Sequence, residues 1–134
     1  MSYPDLDAAR EHHAALKEIF RSHAGGRENR EAVRQVQALC RAASAAVEDA
    51  YCRETLGIVG DYASHLYSDR KHRKWDRAEL PGAEFLRLQI LHALDSLHSR
   101  LWSLEVIRRA GASSVASSPY RLTAKGPNRD NPTP

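Results

Sequence analysis

Only two of the 134 residues are cysteine, Cys40 and Cys52. That is too few and too scattered for a disulfide framework or the paired spacing of a zinc knuckle. Each is expected to pack as a small apolar residue. Aromatic residues are scarce at 7%, and no apolar run approaches the roughly 18 to 20 residues that span a bilayer. The N-terminal stretch MSYPDLDAAREHH lacks the charged and apolar regions of a secretory signal. A soluble cytoplasmic protein with no membrane partner is therefore expected. No glycine-rich loop follows a strand-like segment, which removes the usual phosphate-cradling motifs. Lysine is also rare, with 4 Lys against 16 Arg, and the net charge is only +3.

What remains is ordinary globular composition, 42% hydrophobic and 28% charged, in a chain long enough for one core. A domain of this size buries about two thirds of its unfolded surface. The apolar residues recur at helical steps. Leu6, Ala9, His13, Leu16, Phe20 and His23 form a first stripe, opened by Pro4 at the first helical position and closed by Gly25 and Gly26. Val33, Val36, Cys40, Ala43, Val47 and Ala50 form a second, on a helix beginning near Arg27 to Arg30. Past Cys52 the stripe moves about 100° around the helix axis, to Leu56, Val59, Tyr62, Ala63 and Leu66. Gly57 and Gly60 lie at that change and predict a kink or break there.

Pro81 opens a last helix, about 82 to 110, with the core stripe Leu86, Ile90, Ala93, Leu94, Leu97, Leu101 and Leu104. The same helix carries a second stripe on nearly the opposite face: Leu88, Leu91, Trp102 and Val106, interrupted by Asp95 and His98. A helix apolar on two sides is central in its bundle or buried against another subunit. The expected fold is all-α, an antiparallel up-and-down bundle of three or four helices depending on a break near Gly57. Residues 1–110 would form the bundle, and residues 111–134, rich in Ser, Pro and Gly, a flexible or docking tail.

Four kinds of chemistry compete for this frame. Nucleophilic catalysis has little to stand on, since Ser113, Ser114, Ser117 and Ser118 fall in the tail and neither cysteine has an electropositive setting. His13 on the inward stripe, with Asp61 and His65, which an unbroken middle helix would also turn inward, are the weak candidates for a metal site, but the phase change turns Asp61 and His65 outward and no Glu-x-x-His pair is present. No cofactor is expected. Arg27, Arg30, Arg34 and Arg41, with the basic segment Arg70, Lys71, Arg73, Lys74, Trp75 and Arg77, offer phosphate contacts and one stacking ring for RNA or DNA. Arginine stems bordering a buried face are equally what any amphipathic helix presents.

Arg87 and His92, with four residues between them, resemble the Arg-x4-His pattern of HEPN-type helical ribonucleases. That resemblance implies RNA cleavage at a dimer interface, although Leu88 stands where the family carries a polar residue. The leading expectation is non-enzymatic: an accessory or assembly subunit that oligomerises or docks a partner protein through Leu88, Leu91, Asp95, His98, Trp102 and Val106, within a nucleic-acid-handling complex. A basic RNA- or DNA-binding protein is the first alternative. A metal-binding or HEPN-like helical enzyme is the second.

Overall fold

A computed structural model describes residues 4–117, with side chains described through residue 111. Four α-helices follow in order: α1 (Leu6–Ser22), α2 (Arg30–Val47), α3 (Ala50–Leu66) and α4 (Gly82–Ser117), with a 3-10 turn at Lys71–Trp75 before α4. Among the described residues the only β feature is an isolated bridge between Arg77 and Leu80. The chain divides into two compact units, Met1–Trp102 and Ser103–Pro134.

The first unit is an antiparallel four-helix bundle: hydrogen bonds at the helix ends fix the directions of α1, α2 and α3, and Arg100 of α4 reaching Asp49 at the start of α3 fixes that of α4. Asp5 N donates to Ala46 O at 2.8 Å, so the start of α1 meets the end of α2. Gly26 N donates to Leu66 O and Asn29 N to Tyr67 O, so the α1–α2 loop is stitched to the end of α3. Gly26 has φ of 85° there, a conformation that glycine alone adopts without a Cβ penalty. The His13 ring Nε2–H donates to Leu94 O at 2.9 Å and ties the middle of α1 to the first part of α4. Helices of 17 or 18 residues are each about 26 Å long, and residues 82–102 of α4 run about one turn longer.

The starts of α1, α2 and α3 share one device. Asp5, Asn29 and Asp49 each accept a backbone N–H three residues on, at 3.0, 3.0 and 3.1 Å. Such caps satisfy donors that have no partner inside the helix. Pro4 therefore lies just outside α1 rather than at its first position, because Asp5 takes the capping role.

The break in the middle segment is not at the glycines. It falls at Glu48 and Asp49: Glu48 ends α2 with a left-handed φ of 56°, and Asp49 caps α3. Gly57 and Gly60 sit inside an unbroken α3. A Cβ at Gly57 would meet nothing within 4 Å, and one at Gly60 would only graze Cys40 Sγ at 4.0 Å. The change of stripe is thus a change of helix, more than two turns earlier than the glycines suggest.

The core is formed by Leu16, Phe20, Val36, Leu56, Val59, Leu66, Leu86, Ile90, Leu94 and Leu97, all at or below 1% exposure. Tyr67 joins them, its ring stacked 6.0 Å from Phe20 and its hydroxyl donating to His23 O at 3.1 Å. Burial pushes that phenol up to about 12. Cys40 and Cys52 are buried and free, and burial raises both thiols to about 12, so neither is a nucleophile near neutral pH.

In the second unit α4 continues to Ser117, past the end near Ala110 that the sequence predicts. Glu105 accepts from Arg108 and Arg109 at helical spacings of three and four. Of the tail expected over residues 111–134, residues 111–117 are helical, and residues 118–134 lie outside the described residues.

Candidate interaction surfaces

The inner face of α4 is spent on the core, whereas its outer face is not. Leu88 is 54% exposed and Trp102 60% exposed, with Leu91 half-buried between them and Asp95 and His98 open to solvent. These residues repeat at heptad spacing, Leu88, Asp95 and Trp102 on one line and Leu91 and His98 on the next. His98 also sits 5.5 Å, ring to ring, from His13. In the second unit Val106 and Ile107 are exposed.

A second surface runs along α2 and α3. One open groove of about 540 Å³ is lined by Gln37, Cys40, Arg41, Ser44, Arg53, Leu56, Gly57, Gly60 and Asp61. Next to it, sharing Gln37, lies a hollow of about 330 Å³ that brings Arg30, Arg34 and Lys71 together with Ser64, Tyr67 and Ser68. Arg30 and Arg34 are paired with Glu28 and Glu31, in exposed bridges that bind their partners weakly. The Arg34 hydrogen bond holds the Glu31 carboxyl below its ordinary range. Arg41, Arg53 and Lys71 have no carboxylate partner among the described residues. Arg27 falls in the loop before α2, off the line of Arg30, Arg34 and Arg41.

The basic segment is a built turn. Ser68 Oγ accepts from Arg70 N and Lys71 N, and His72 Nδ1–H donates to Ser68 O. Asp76 accepts from Gly82 N at 2.6 Å and so starts α4. Arg70, Lys71, Arg73 and Lys74 point to solvent. Trp75 does not wait for a base: its ring stacks on Phe85 at 5.8 Å, leans on Tyr62, and its Nε1–H donates to His65 Nδ1 at 3.1 Å. Arg77 lies 4.5 Å over the Phe85 ring, a cation–π contact. Trp75 and Arg77 thus hold the turn to the bundle, with the four outer cations on its solvent side.

The metal candidates are scattered. His13 is committed to Leu94 O, and burial, ahead of every other influence, lowers its pKa. His65 receives the Trp75 indole, and Asp61 borders the α2–α3 groove. Among the described residues no group of three His, Cys, Asp or Glu side chains is placed to hold a metal ion. Arg87 and His92 are five residues apart on α4, hence about 140° around its axis. Arg87 lines a hollow beside Arg21 and Gly25, while His92 is exposed.

Two residues escape the sequence reading. Arg53 faces Arg41 across the groove, a relation visible only once α3 is known to turn back along α2. Arg100 forks onto Asp49 at 2.8 and 3.1 Å, linking α4 to the α2–α3 corner. No protein-family model, curated protein or solved structure matches the chain. Among the described residues no helix is long and apolar enough to cross a membrane.

Proposed function

We propose that this chain is a helical assembly module that joins another protein surface through the outer face of α4, in a cytoplasmic setting. The observation that carries the reading is the exposure of Leu88 and Trp102 on a helix whose opposite face already fills the core. Large apolar side chains that recur along one exposed line lose solvation cost only when something covers them. Tryptophan is also the side chain most enriched among residues that dominate binding energy. Sedimentation at low and high concentration, for the wild type and for Leu88→Ser with Trp102→Ser, tests this. A wild type that associates and a variant that does not is the expected pair. A wild type that stays monomeric at every concentration removes the reading.

A second reading rests on a different observation: Arg41, Arg53 and Lys71, beside Arg30 and Arg34 along the α2–α3 groove, form no ion pair among the described residues. Such a line suits a phosphate backbone, with no base readout since Trp75 is engaged internally. Affinity for mixed-sequence RNA or DNA would then fall steeply with salt, with a log–log slope of about −3 to −4 for five phosphate contacts to a single strand. No binding at low salt removes this second reading.

A further inference from the structure

We infer that the surface covering the outer face of α4 is the same face of a second copy, laid antiparallel so that Asp95 of each copy meets His98 of the other. The inference rests on the assembly reading above and specifies its partner and register.

The heptad spacing decides between the arrangements. Along the exposed line the order is Leu88, Leu91, Asp95, His98, Trp102. In a parallel pair each position meets itself. Asp95 would then face Asp95, a like-charge contact in a partly desolvated seam, and the two Trp102 rings would share one layer. In an antiparallel pair the two lines of the heptad meet each other. With a two-fold axis between Ser96 and Leu97, Asp95 faces His98 of the second copy and Leu91 faces Trp102 of the second copy. Both layers repeat by symmetry, as an isologous interface requires. Sliding the copies by one heptad in one direction sets Asp95 against Leu91 and His98 against Leu88, so each polar side chain meets an apolar one. Sliding the other way sets His98 against Trp102 and leaves Leu91 without its aromatic partner. One antiparallel register therefore pairs Asp95 with His98 and Leu91 with Trp102, with Leu88 lying just beyond the overlap.

The side chains are available for it. Asp95 and His98 are exposed, and neither takes part in an ion pair among the described residues. The His98 ring N–H can donate to a carboxylate in its neutral form as well as its charged one. The overlap from Leu91 to Trp102 is about three helical turns, roughly 18 Å, in each copy. Its two ends each hold one Trp102 and one Leu91, which makes two apolar anchors around a polar centre.

Sedimentation equilibrium of full-length charge variants tests the register. Asp95→Lys breaks both symmetric pairs and is expected to weaken the dimer about tenfold. Adding His98→Asp restores opposite charges across the seam and is expected to return the affinity to within about threefold of wild type. Tightening by Asp95→Asn would overturn the inference in favour of parallel copies. A dimer that Leu88→Ser with Trp102→Ser dissociates, but that Asp95→Lys leaves unchanged, would overturn the register while sparing the assembly reading. A dimer that survives Leu88→Ser with Trp102→Ser would overturn both.

Discussion

Replacing Asp49 with alanine removes two interactions at once, and their sizes can be worked from the structure. The carboxylate caps α3 through Cys52 N at 3.1 Å, a bond whose loss costs about 1 kcal/mol. It also takes a two-pronged contact from Arg100, which holds its pKa at about 2 against an ordinary 3.8. Taken at face value that difference is about 2 kcal/mol. The Arg100 side chain is 35% exposed and Asp49 16%, so solvent screening reduces the pair to about 1 kcal/mol. Asp49→Ala should therefore cost about 2 kcal/mol, lowering the melting temperature by roughly 8 °C for a domain of this size. Asp49→Asn keeps a capping oxygen and should cost only about half as much. Because the folded pKa is depressed, the ionic part is present above about pH 3.8 and is lost as pH falls toward 2. Thermal melts by circular dichroism, with a double-mutant cycle against Arg100→Ala, supply the assay. A coupling energy near zero, or alanine and asparagine variants as stable as the wild type, would refute the claim that this residue fixes the α2–α3 corner.

Three further outcomes are expected. Burial lowers the His13 pKa below the ordinary 6.5 of a histidine; stability is complete above that pH and falls as the unfolded chain takes up the proton, which denaturant titrations between pH 8 and 5 will show as a declining midpoint that His13→Gln flattens. Glu48→Gly, at the left-handed φ of 56°, should stabilise the exposed corner by about 0.5 to 1 kcal/mol, read as a melting temperature a few degrees higher. Gly82→Ala would put a Cβ 1.9 Å from His72 O and 2.9 Å from Asp76 N. The 3-10 turn would have to move, and a loss of at least about 2 kcal/mol with altered Trp75 fluorescence is expected.

The helices were legible because each presents a spacing of three and four that a single face requires. Ala9, Leu16, Val36, Cys40, Ala43, Leu86, Ile90 and Leu97 are core residues in both the pattern and the structure. The corner between α2 and α3 was misplaced because the eye goes to Gly57 and Gly60, whereas the chain turns on Glu48, a residue type that seldom adopts a left-handed φ. The signal that was present, Asp49 three residues before the N–H it caps, is common enough in any sequence to pass unnoticed. Trp75 illustrates a different limit. Its position in a basic run suggests a free stacking ring, but Tyr62, His65 and Phe85, which occupy it, come from α3 and α4 and meet it only in the folded chain. The pairing of Asp49 with Arg100 spans 51 positions of the sequence and was invisible for the same reason. The outer stripe of α4 was legible as a pattern, and the structure leaves its Leu88 and Trp102 exposed.

The claim that the outer face of α4 is an assembly surface is tested most directly by sedimentation velocity of the wild type beside Leu88→Ser with Trp102→Ser across a hundredfold range of concentration. The account predicts that the wild type shifts from monomer to dimer with concentration, while the variant, equally folded by circular dichroism, stays monomeric. A wild type that remains monomeric throughout, or a variant that associates as the wild type does, would contradict it.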